Sequence, residues 1–289
     1  MTPQTLAREA GALFSLPQAV LRINELIGSP DHTANQLAEV VELDAGLTAR
    51  ILRLANSAMF GRSGSVDSVT RAVVMIGENA LRDLVMATSV TQVFKGIPEE
   101  FVDMASFWDN SATCGVVARL LAGRLGIREG ERLFVAGLLH GIGHLVFFSR
   151  RAEQYREVLK FRDQGEAAVL AEERRIFGFN YAELGAALAA AWQLPAFFQE
   201  VIGFQLEPQR SQSYPRECAI LHLARDMAAS LAPSLKTREA PGDWAAARDA
   251  LVWQLSDLTP EVLEEVRLEA LAQAFEVIDI INPGTATVY

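Results

Sequence analysis

Apolar positions recur at helical spacing along almost the whole chain. Val20, Ile23 and Ile27 fall on one stripe, and Leu47, Ile51, Leu54 and Ala55 on another, with Asp44 placed to cap that second helix. Leu81, Leu84, Val85 and Thr88 repeat the pattern, and within 101–125 the residues Val116, Leu120 and Leu121 share a face. Further helices are predicted over 133–148, 166–177, 181–192, 195–204, 216–232, 243–255 and 260–280. Alternating period-two runs are nearly absent, so the predicted fold class is all-α.

Breaks in the pattern are modest. Residues 61–65, Gly-Arg-Ser-Gly-Ser, read as a flexible turn, and Gly96-Ile97-Pro98 reads as a seam between subdomains. Residues 205–214 and 234–242 read as polar, proline-containing loops. The predicted organisation is an N-terminal helical lobe over 1–95, a second helical lobe over 96–235, and a C-terminal helical extension over 236–289. No fixed-period repeat stands out, so a solenoid is not expected.

Composition narrows the partners. The chain is 50% apolar and 21% charged, which suits a globular protein. Its net charge of -10 repels phosphate backbones, so no nucleic-acid partner is expected. Arg150, Arg151, Arg156 and Lys160 form the most basic stretch, but they sit among acids and read as a solvated helix face. Cys114 and Cys218 lie far apart in apolar helical patterns and are expected as buried small hydrophobes. No secretory leader and no apolar run of membrane-spanning length is expected, which predicts a cytoplasmic protein without a membrane partner.

Candidate chemistry centres on four histidines, His32, His140, His144 and His222. His140 and His144 lie four residues apart in a predicted helix, which would put both imidazoles on one face. Two nitrogens do not make a metal site, and structural histidines satisfied by hydrogen bonds are the competing reading.

The surroundings of His140 are distinctive. The segment VAGLLHGIGHLVF, residues 135–147, resembles the central helix of the HD phosphohydrolase superfamily, whose pattern is Gly-Leu-Leu-His-Asp-Ile-Gly. Leu16-Pro17, Asp44, Asn56-Ser57, Arg71-Ala72 and Ile76-Gly77 narrow the likeness, as does ERRIFGFNYAELGAALAAAWQLP over 173–195. Over about residues 13–230 the chain resembles the HDOD family, a degenerate branch of the HD and HD-GYP superfamily. The resemblance implies a multi-helix HD-like bundle with an N-terminal helical lobe packed against it. It also implies a role in bacterial signal transduction.

The departures bear on chemistry. In superfamily enzymes the His-Asp pair sits at the heart of a metal site, and here the Asp position is Gly141. Where metal-competent relatives carry histidines, this chain has Asn110, Tyr181, Phe204 and Gln205. His140 and Gly141 therefore mark a vestigial position, and no catalytic residue, metal or cofactor is expected. Asn110, His140, His144, Tyr181 and Gln205 could converge as a ligand site or as a closed polar core. The expected function is a non-catalytic regulatory module that binds other signalling proteins, or a small nucleotide, in a groove between the lobes. Two alternatives stand beside it: a metal-dependent phosphohydrolase or cyclic-dinucleotide phosphodiesterase using His140 and His144, and a nucleotide sensor that binds without hydrolysis.

Overall fold

The computed structural model describes residues 1–60, 66–94, 96–127, 130–237 and 258–281. Among these residues every regular element is a helix and there is no strand. The predicted turn over 61–65, the predicted lobe boundary at Lys95 and the predicted helix over 243–255 lie outside the described residues.

The N-terminal lobe contains α2 (Gln18–Ile27), α3 (Ala34–Glu42), α4 (Ala45–Ala55), α5 (Val69–Ile76) and α6 (Glu78–Val90). Short polar side chains start several of these helices by accepting otherwise orphaned N–H groups. Thr33 and Gln36 form a reciprocal capping box on α3, and Asp44 and Ser68 cap α4 and α5. Asn56 ends α4 and also pins Val66, exchanging hydrogen bonds with its N–H and carbonyl at 2.7 and 2.8 Å. Asn56-Ser57 is thus local structure. The run from Asp83 to Val90 is buried, which makes α6 the centre of this lobe.

The second lobe contains α7 (Met104–Arg124), α8 (Gly130–Leu139), α9 (Ile142–Arg150), α10 (Ala152–Leu159), α11 (Glu166–Phe177), α12 (Tyr181–Ala191), α13 (Ala196–Gly203) and α14 (Pro215–Thr237). The last of these runs on through Ser234–Thr237, where a loop was expected, because nothing after Pro233 breaks the pattern until Thr237. Cys114 and Cys218 are buried and free.

Two corrections concern the central segment. The predicted single helix over 133–148 is two helices, since His140 and Gly141 form a turn between α8 and α9. The stretch Gly130–Arg150 is long and apolar enough by composition to cross a membrane, contrary to the expected short runs. Its most apolar window is 83% buried inside the protein, so its hydrophobicity is spent on the core.

The chain ends interlock the lobes. Helix α1 (Pro3–Leu13) packs on α12 and α9 of the second lobe, although its residues were assigned to the first. The Trp192 indole N–H donates to the Phe14 carbonyl at 2.9 Å, and Arg151 pairs with Glu9 at 3.0 Å. Helix α15 (Pro260–Ile281) packs along α7 and reaches α4. Arg124 pairs with its Glu269 at 3.0 Å, and Arg53 of α4 pairs with its Asp279. Phe94 touches Phe14, Trp108 and Trp192 with ring centroids 4.6, 6.5 and 6.1 Å apart, forming an aromatic joint where the lobes meet.

Close helix crossings fix the second lobe. A Cβ added to Gly137 would stand 2.5 Å from the Gly115 Cα, and one added to Gly143 would run into the Tyr181 carbonyl oxygen. In these places α7 meets α8, and α9 meets α12, backbone to backbone. Gly143→Ala should therefore destabilise the protein by roughly 3 kcal/mol or more in a denaturant titration. Gly123, exposed on α7 with open space around it, is the control: Gly123→Ala should raise stability by about 0.5–1 kcal/mol. Equal costs at both positions would contradict the close-crossing account.

Candidate functional site

The turn between α8 and α9 is where the motif residues gather. The last turn of α8 leaves carbonyls without helical partners. His140 answers one of them, its Nδ1 lying 2.6 Å from the Gly137 carbonyl oxygen. An imidazole used in this way is a C-terminal cap. Burial pushes the His140 pKa down to about 4, so the ring is neutral and Nδ1 carries its proton.

Gln205 serves the same accounting from below. It is fully buried just beyond the end of α13. Its Nε2 donates to the His140 carbonyl at 2.9 Å and to the Ile202 carbonyl at 2.8 Å. His222 on α14 then places Nδ1 2.7 Å from the Gln205 carbonyl oxygen. Three expected or related site residues are thus occupied by helix ends.

The second centre is built at the start of α12. Gly178, in the left-handed region at φ 87°, ends α11, and Asn180 and Glu183 form a capping box on α12. This leaves the Tyr181 N–H to a carboxylate, and Glu173 Oε2 accepts it at 2.8 Å. Tyr155 donates its hydroxyl to the other oxygen, Oε1, at 2.5 Å. The His144 ring stacks on Tyr181 at 3.9 Å between centroids, and its Nε2 lies 3.5 Å from Glu173 Oε1. Burial raises the Glu173 pKa to about 7 despite the two donors, and burial also lowers that of His144. Both groups favour their neutral forms, so this is a polar contact and not a strong ion pair.

Arg225 closes the cluster. Its guanidinium reaches the Tyr181 hydroxyl at 3.0 Å, Glu166 at 3.2 Å and Asp226 at 2.9 Å. Burial works against its charge, but the Glu166 and Asp226 carboxylates beside it hold the group protonated. Burial pushes the Tyr181 hydroxyl up to about 12, so it faces the guanidinium as a neutral phenol.

The expected convergence is therefore partial. Gln205 meets His140 through the backbone, and Tyr181 meets His144. The broken helix gives the two histidines separate partners, in place of the shared face that i,i+4 spacing suggested. Asn110 is half-buried on α7, and its side chain makes no hydrogen bond among the described residues. Glu173, legible only as a motif position, and Tyr155, His222 and Arg225 complete the network. A basic residue inside the apolar run Leu223-Ala224-Arg225-Asp226-Met227-Ala228 was the available signal for the last of these.

Gly141 has the most direct bearing on chemistry. A Cβ there would stand 3.1 and 3.2 Å from two carbons of the Phe107 ring. A side chain at this position would therefore be tight against the far edge of the Phe107 ring, which would have to give by a few tenths of an ångström. Among the described residues, no three His, Cys, Asp or Glu side chains are grouped as metal ligands.

The buried carboxylate gives a pH signature. With its pKa raised from 4.5 to about 7, Glu173 contributes stability that is fully present below pH 4.5 and lost as pH rises through 7. Relative to Glu173→Gln, the wild type should lose about 3 kcal/mol of unfolding free energy across that window. A pH-independent difference in urea titrations would mean that Glu173 stays ionised. The depressed histidines act oppositely, contributing stability that is full above pH 6.5 and is lost progressively as pH falls from there through about 4 for His140 and about 3 for His144.

Known proteins share the sequence pattern and the fold of this chain. Residues 13–208 match the HDOD domain model. A solved structure from Shewanella amazonensis SB2B, bearing the provisional name of a phosphohydrolase, is 27% identical with a TM-score of 0.74, covering 96% of this chain and 97% of that one. An HDOD domain protein of unknown function from Geobacter sulfurreducens shares the fold at 23% identity and a TM-score of 0.69, with 97% of each chain covered. An uncharacterized protein of Treponema pallidum (strain Nichols) is 27% identical over 181 residues, 62% of this chain. That stretch spans only 35% of the Treponema protein. From these matches and the motifs around His140, the chain belongs to the HDOD family.

Proposed function

We propose that this protein is a non-catalytic regulatory module of bacterial signalling, working in the cytoplasm by binding a protein or a small ligand. The observation that carries the reading is Gly141 lying under the Phe107 ring. An HD hydrolase needs an anionic oxygen beside its histidine to hold a dication and to activate water. Here the side chain that would supply it is missing, and a Cβ in its place would be tight against the Phe107 ring. Glu173, the carboxylate of the neighbouring cluster, is committed to Tyr155 and to the Tyr181 N–H. His140 is committed to the end of α8.

The binding surface in this reading is the cleft between the lobes. A cavity of about 390 Å³ opens between the α5–α6 turn and the start of α8, lined by Ile76, Glu78, Arg82 and Asp83 on one side and Glu131 and Arg132 on the other. That volume falls within the range of small-molecule sites. None of the polar network around His140 lines it. One wall belongs to α5 and α6 and the other to α8, which packs on α6, so occupancy of the cleft would bias the packing of one lobe on the other.

Dialysis against manganese followed by emission spectroscopy tests the catalytic question. Substoichiometric metal that is unchanged by His140→Ala is the expected result. Stoichiometric metal lost in that variant would overturn the proposal in favour of a hydrolase. Calorimetry with cyclic dinucleotides and guanosine tetraphosphate separates the remaining readings, since micromolar binding without turnover would make the protein a nucleotide sensor.

A further inference from the structure

His32 sits in the turn between α2 and α3 with its side chain only 16% exposed, and both of its ring nitrogens face oxygen. Nδ1 is 2.6 Å from the Ser29 carbonyl oxygen, and Nε2 is 2.7 Å from Glu78 Oε2. A carbonyl and a carboxylate can only accept. A neutral imidazole has one N–H and one lone pair, so it can serve one of these partners while opposing the other. Only the imidazolium serves both. Glu78 is the first residue of α6, whose preceding residue, Gly77, offers no side-chain cap, and it forms part of the wall of the interlobe cleft.

We propose that His32 is a protonation-controlled latch on that cleft: the imidazolium holds Glu78 against the α2–α3 turn, and its deprotonation releases the carboxylate at the mouth of the cavity. The inference rests on the cleft being the working surface of a regulatory module. It adds how that surface is regulated. Release changes the charge of the wall and loosens the first turn of α6, whose residues Glu78, Asn79 and Ala80 line the cavity.

The charged neighbours are otherwise engaged. On α2, Arg22 pairs with Glu25 at 2.9 Å, and on α5 Arg71 faces Asp67 at 3.8 Å. On α6, Arg82 pairs with the buried Asp83 at 2.6 Å. Across the cleft, Glu131 is tied to Arg119 at 3.5 Å, and Arg132 stacks on Phe197 at 4.1 Å. Asp31, next in the chain, is exposed, as are Glu39 and Glu42 on α3. Glu78 is the carboxylate in contact with the ring. The Ser29 and Glu78 hydrogen bonds accordingly raise the His32 pKa above 6.5.

The test is a titration of the histidine ring protons by NMR on the full chain, with the His32 signal assigned from its loss in His32→Gln. The expected midpoint lies above 6.5, and Glu78→Gln should shift it down. Hydrogen exchange of the Leu81–Leu84 amides, the first in α6 with backbone partners, corrected for intrinsic rates, should lose protection as pH crosses that midpoint in the wild type. Both variants should lack this step, with circular dichroism confirming that they are folded. A midpoint at or below 6.5, one unmoved by Glu78→Gln, or exchange that ignores the midpoint would each overturn the latch. All of these readouts are made on the free protein, so their failure is distinct from a failure of the metal or nucleotide measurements.

Discussion

The structure depends on two places where helices touch without side chains between them. Gly115 and Gly137 let α7 and α8 cross in backbone contact, and Gly143 and Gly185 do the same for α9 and α12. Close-packed interiors do not yield by a methyl group without strain. With the crossings fixed, the end of α8, the start of α9, the start of α12 and the end of α13 all arrive in one small volume. Helix ends bring unpaired N–H and carbonyl groups with them, and in a dry interior those groups must find partners.

That requirement explains what has become of the motif residues. His140 and Gln205 answer carbonyls at the ends of α8 and α13, and Glu173 answers the N–H that begins α12. Arg225 neutralises the remaining polarity around Tyr181. In a hydrolase, the same geometry would gather ligands around metal. Here His140, Gln205 and Glu173 each bond a backbone group, and Gly141 lies against Phe107. In the proposed regulatory role, the interlobe cleft is the binding surface.

Much of this was legible in the sequence because it is local. The 3.6-residue period gave most of the helices, and Asp44 marked the start of α4, while α3 and α5 with their caps Thr33 and Ser68 went unread. Gly141 in place of aspartate was visible as a single letter. Non-local consequences were not. The i,i+4 spacing of His140 and His144 suggested one helix face, but Gly141 and Gly143 admit a turn and a close crossing, and these are set by α12, some forty residues later in the chain. Phe107 could not be matched to Gly141 without the register of α7 on α8. Likewise α1 carries no mark of docking on α12, and α15 none of pairing with both Arg53 and Arg124.

The central claim is that the vestigial site is closed by packing and not merely short of a ligand. A double-mutant cycle between Gly141→Asp and Phe107→Ala, read as unfolding free energies in urea, tests it most directly. The account predicts that Gly141→Asp is costly alone and distinctly cheaper when Phe107 is alanine, with a coupling of about 1–2 kcal/mol. Additive costs, with no coupling between the two positions, would contradict it.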